Sequence, residues 1–135
     1  MHIKDIKWGA AIGGAIAAEI AQIAAAFIWV AVYSYAIDPG QPSSVYQAHA
    51  QTSGPWVSII AGSAIFYAAS RWIARSVPTA MALFAVFFAI DILLIILAGI
   101  SLSPADMALV GTSYLTKLLV CHLGGRHGAK PAQAV

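Results

Sequence analysis

The sequence predicts an all-α fold, a four-helix transmembrane bundle with both termini in the cytoplasm, and three observations lead to it. The first is composition. Of 135 residues, 61% are hydrophobic and 9% charged, with a mean hydropathy of +0.83. A soluble domain carries about 25% charged residues. Seven basic and five acidic side chains cannot keep this much apolar surface in water, so lipid is the solvent for most of the chain. The second is the presence of four apolar runs, each near the roughly 20 residues that cross the hydrocarbon core. The third is the placement of lysine and arginine, which fall on one side of those runs.

The first span is expected over about 8–36, with Asp5 as a candidate cap. Lys4 and Lys7 ahead of an apolar run mimic a signal peptide. The run continues from Trp8 to Ile37 and contains Glu19, far beyond an h-region of about 7–15 residues, so a retained helix is expected. Its last turns, Val30 to Ile37, should project outward before Asp38-Pro39-Gly40 turns the chain. Residues 41–54 read as a polar surface loop that includes Tyr46 and His49. The second span, about 55–74, opens on Gly54-Pro55, and the third, about 79–101, follows Val77-Pro78. Both place proline at a first helical position, where its missing N–H costs nothing. The fourth, about 105–123, follows Ser103-Pro104-Ala105-Asp106, a capping box with proline at N1, and Gly124-Gly125 marks its end.

Direction follows from charge. Lys4 and Lys7 precede the first span, Arg71 and Arg75 lie between the second and third, and Arg126 and Lys130 follow the fourth. The connections 37–54 and 101–105 contain neither residue, which by the positive-inside rule makes them the outer ones. Tryptophan supports the same frame. Trp8 and Trp29 are separated by 21 positions, about 31 Å at 1.5 Å per residue, and Trp56 and Trp72 flank the second span in the same way. Such spacing fits two interfacial belts better than core filling.

Three ionisable residues fall within the spans. Glu19 and Asp91 should lie about 16 and 18 Å from the cytosolic ends of their helices, and Lys117 about 9 Å, with a stem able to reach further inward. Each costs about 2.5–3.5 kcal/mol at a helix centre, so each needs a partner or a wet cavity. If they converge, one carboxylate pairs with Lys117 and the other is left in excess, which is how a proton- or cation-coupled site is made. The plainer reading has Lys117 snorkelling to the cytosolic interface. Gln22 extends the polar face of Glu19. Ser63, Tyr67 and Ser70 form a second polar stripe, Ser113, Tyr114 and Thr116 surround Lys117, and Tyr67 joins the candidate site residues. Gly9, Gly13, Ala17 and Ala21, with Ser58 and Gly62, make small-residue faces suited to internal packing, a homo-oligomer or another membrane protein.

Soluble-enzyme motifs are absent, so no enzymatic activity is expected. Cys121-His122 with His127 is the nearest approach to a metal cluster, but neighbouring helix positions diverge by about 100°, and neither metal nor cofactor is expected. The lone Cys121 excludes an internal disulfide. The basic residues are too dispersed for a nucleic-acid face, leaving the lipid bilayer as the principal partner. A small integral membrane protein is expected, with a bacterial inner membrane taken as its setting: a proton- or cation-coupled transporter or, alternatively, a non-catalytic subunit or scaffold of a larger membrane complex.

The run Gly13-Gly14-Ala15-Ile16-Ala17-Ala18-Glu19-Ile20 resembles the first helix of the small multidrug resistance transporters, and Val77-Pro78-Thr79 looks similar to the start of their third helix. The resemblance implies four short helices, an antiparallel dimer, and Glu19 as the carboxylate that alternates between protons and cationic substrate. The chain differs from that family in its longer first loop and in carrying Asp91 and Lys117.

Overall fold

The computed structural model describes residues 3–129, and these form four long helices and no strand. After a 3-10 turn at Ile3–Asp5, α1 covers Trp8–Val32 and runs on through a π-helical turn at Tyr33–Ile37. The second helix, α2, covers Ser43–Ala69 with a π-helical turn at Ser70–Ala74, followed by α3 at Val77–Leu97 and α4 at Pro104–Gly128. All four are long and apolar enough to cross a membrane.

The termini of these helices bear out some local signals and correct others. The capping box forms at α4: Ser103 Oγ accepts from the Asp106 N–H, while Asp106 Oδ2 accepts from the Ser103 N–H at 3.2 Å. At α3, Ser76 caps the helix with Pro78 in its first turn, and Gly99, at φ +63°, ends it four residues before the expected boundary. Glycine reaches that left-handed geometry without a Cβ clash. Asp5 does not cap α1. Lys7 occupies the cap position, and its N–H donates to Thr79 Oγ1 of α3 at 3.2 Å.

The two larger corrections concern α2 and α4. Residues 41–54 are not a loop, because α2 begins at Ser43 and carries Pro55 in its interior. Its first turns are held against the end of α1. The Tyr33 and His49 rings stack at 3.6 Å and 8°, and the Tyr46 hydroxyl donates to the Asp38 carbonyl at 2.9 Å. Pro55 removes one N–H donor and its ring crowds the Gln51 carbonyl, a disturbance that a long packed helix tolerates. Gly124-Gly125 likewise does not end α4, which continues to Gly128. A Cβ on Gly124 would meet the Tyr67 carbonyl oxygen at 2.6 Å and Ser70 Cβ at 2.8 Å. These glycines therefore let α4 lie backbone to backbone on the end of α2.

The helices pack in the ring order α1–α2–α4–α3, so α1 faces α4 and α2 faces α3 across the centre. The core is built from small residues, including Ala11, Ala15, Ala18, Ala80 and the wholly buried Cys121. Phe66 and Phe87 meet across the axis with ring centres 4.5 Å apart. Polarity is inverted relative to a soluble bundle: Glu19, Ser113 and Lys117 are buried, while Ile20, Phe27, Ile60, Leu94, Leu115 and Leu119 are exposed. Water penalises such an outer surface and hydrocarbon does not. All four tryptophans are on the outside, with Trp29 and Trp56 lining one apolar groove between α1 and α2, so they share a level.

Candidate functional site

The site is built around Lys117, which is 1% exposed. Helical side chains lean toward the N-terminus of their helix, which carries this stem from the end of α4 into the bundle and away from the nearer interface. Its Nζ donates to Ser58 Oγ of α2 at 2.7 Å and to Ser113 Oγ, one turn back on α4, at 2.8 Å. The two hydroxyls are 3.0 Å apart and share a hydrogen bond. The ammonium also sits over two aromatic faces, 5.1 Å from the Phe87 centroid and 5.6 Å from that of Phe66. A hydrogen bond to a charged group contributes roughly 1.5–3 kcal/mol and a desolvated cation–π contact about 2 kcal/mol. With two contacts of each kind, these at least offset the roughly 2.5–3.5 kcal/mol that burying the ammonium costs. Snorkelling is thereby excluded, and so is the expected direct pairing of Lys117 with a carboxylate.

Room for the lysine comes from Gly62. A Cβ there would stand 2.8 Å from Lys117 Cε and 2.5 Å from Gln22 Oε1. Ser58 and Gly62, read in sequence as a packing face, form the seat of the cation. Nothing local in the sequence marks that role, because Ser58 and Lys117 are 59 positions apart.

The carboxylates lie on either side. Glu19 is 9% exposed, and its Oε2 is buried without a hydrogen-bond partner, as is Gln22 Oε1 one turn later. Asp91 of α3 accepts from the Tyr114 hydroxyl at 2.5 Å, and the Tyr114 ring is wedged edge-on against Phe88 at 4.8 Å. Gly62 faces both Gln22, one turn from Glu19, and the Lys117 stem, while the neighbouring residues Ser113 and Tyr114 of α4 bind Lys117 and Asp91. The three therefore share one neighbourhood, with hydroxyls and aromatic rings interposed.

A cavity of about 240 Å³ leads to this cluster from the end of the bundle that bears the α3–α4 connection. Pro55, Ile100 and Leu102 line it near that end, and Ser58, Asp91, Ser113 and Tyr114 supply its polar wall. The polar residues expected along α2 need correction in this setting. Tyr67 is not part of the site: its hydroxyl lies 2.8 Å from His127 Nδ1 and accepts from Arg71 at 3.4 Å, near the other end of the bundle. Ser63 donates to the Ile59 carbonyl of its own helix, and Ser70 is wholly buried, so neither is among the residues that line this cavity. Among the described residues no group of three His, Cys, Asp or Glu side chains could hold a metal ion.

No family model, curated protein or solved structure matches the chain. The charged interior is the feature that bears on function.

Proposed function

We propose that this chain is a small multi-pass protein of a bacterial inner membrane that couples proton or cation binding to transport, with Glu19, Asp91 and Lys117 as its charged machinery. One observation carries the reading: a buried ammonium, a buried carboxylate and the half-buried Asp91 lie within a bundle with an apolar exterior, and a cavity reaches Asp91 from one end. Ionisable residues inside membranes are costly and mark ion or substrate paths. Glu19 keeps an unpartnered buried oxygen, as an acceptor of a transferable proton requires. The likeness of Gly13 to Ile20 to the first helix of the small multidrug resistance transporters supports the same role. Purified protein in liposomes with an entrapped pH dye should pass protons down an imposed gradient, and Glu19→Gln should abolish that flux. Undiminished flux in the variant removes Glu19 from the mechanism.

A second reading, a subunit or scaffold of a membrane complex, is favoured by the outer face of α1. A Cβ added at Gly9 or Gly13 would meet nothing within 4 Å, and Ala17 and Ala21 continue that exposed stripe. Of the three glycines of α1 only Gly14 packs within the bundle, against Leu83 and Ile73. If the stripe binds a second copy or another protein, Gly13→Leu leaves the monomer folded and removes the stoichiometric partner recovered in mild detergent. A wild-type chain that runs as a monodisperse monomer eliminates this reading.

A further inference from the structure

The geometry points to the cavity between α2, α3 and α4 as a binding site for a small zwitterion with an apolar side chain, the chemical class of the neutral α-amino acids. This inference rests on the transport reading of the same cavity and names what the cavity admits.

The inner wall of the cavity has two poles. One is the pair Ser58 and Ser113, whose hydroxyls both accept from Lys117 Nζ and share one hydrogen bond with each other. Two hydroxyls own two protons. One proton lies between the oxygens, and the other is left to donate elsewhere. A hydroxyl that accepts from an ammonium is polarised as a donor, so this pole presents the positive charge of the lysine to an acceptor in the cavity while Nζ itself stays buried. The other pole is Asp91. Its Oδ2 accepts from Tyr114, and among the described residues its Oδ1 has no hydrogen-bond partner. The remaining wall is apolar, with Pro55, Ile95, Leu109 and Val110 among its residues.

The poles set the net charge of the ligand. Lys117 and Asp91 carry opposite charges that no direct bond joins. An organic cation answers Asp91 alone, and an organic anion answers the lysine-polarised serines alone. A zwitterion answers both, its ammonium on Asp91 and its carboxylate on the serine pair, and leaves neither of these two charges facing the cavity unanswered. Size agrees. Even at about 30 Å³ per heavy atom, the share a whole water takes in the liquid and an upper bound for bonded atoms, a volume of about 240 Å³ admits the eight heavy atoms of L-valine.

The test is equilibrium binding of tritiated L-valine to the purified full chain in detergent, with competition by isobutylamine and isovalerate. These keep the branched body and lack one pole each. In the wild type, unlabelled valine should compete at concentrations at least about tenfold below either analogue, a gap of about 1.4 kcal/mol. Lys117→Met should weaken valine by a similar factor and make isobutylamine the better of the two analogues, whereas Asp91→Asn should favour isovalerate. A folding defect loses all ligands together and reverses no preference. Ser58→Ala, which removes one hydroxyl and no charge, should shift preference in the same direction as Lys117→Met. No saturable valine binding at millimolar concentration, or either analogue equalling valine in the wild type, overturns the inference. Binding is read without a proton gradient, so the two readings fail separately. Bound valine with no proton flux removes the coupling, and proton flux without bound valine removes the zwitterion.

Discussion

Lys117 illustrates how a single residue is tolerated in a place that penalises it. Its charge is spread over two hydroxyls and two ring faces, none of them ionised. The contacts of the ammonium offset its desolvation cost, and an apolar side chain of similar volume removes both together. Lys117→Met, with a similar unbranched stem and no charge, should therefore change stability by only about 1 kcal/mol, while the serine hydroxyls keep each other as partners. Proton flux should nevertheless be lost. Thermal unfolding in detergent beside the liposome assay checks this: a stability loss of about 3 kcal/mol would mark the lysine as structural. The sequence reveals that Lys117 must be answered. It does not reveal by what, because Ser58, Phe66 and Phe87 come from two other helices and look like ordinary packing residues until the ring order is known.

Among the helices, the same residue types carry opposite meanings, and this explains which boundaries were legible. Ser103-Pro104-Ala105-Asp106 starts α4 as expected, since both bonds of the box are local. Gly54-Pro55 and Gly124-Gly125 carry equally strong local signals, yet both lie inside helices. Proline is compatible with a helix start or a tolerated interruption, and glycine with a stop or a close approach. Tertiary packing decides between them. Along α2, the aromatic contacts Tyr33–His49 and Tyr33–Tyr46 hold helical turns that composition alone reads as polar loop. Gly124→Ala should consequently lower stability by about 1–3 kcal/mol, the range for overpacking a close contact, because its Cβ would meet backbone at Tyr67. Gly13→Ala, on the open face, should be neutral or slightly stabilising through helix propensity. Thermal unfolding of the two variants side by side measures the contrast, and equal effects would show that α4 does not approach α2 this closely.

For the molecule as a whole, antiparallel connection of four spans gathers Lys4, Lys7, Arg71, Arg75 and Arg126 at one end; Lys130, part of the same pattern, lies outside the described residues. The cavity opens at the opposite end. If positive charge faces the cytoplasm, the cavity faces outward and draws its ligand from outside the cell. An epitope inserted between Pro39 and Gly40, at the tip of the α1–α2 hairpin, should then bind antibody on intact spheroplasts without permeabilisation. Binding only after lysis would invert the frame. The four spans and their alternation were legible because hydropathy and charge are summed over many residues, whereas the cavity depends on where a few side chains meet.

The wholly buried Cys121 has a consequence for any such assembly. The only thiol in the chain lies in the core beside the axis, where a second molecule cannot reach it without unfolding the bundle. Two copies that remain together on a gel run without reductant are therefore held by helix surfaces and not by a sulfur crosslink, and adding a reducing agent should leave that band in place.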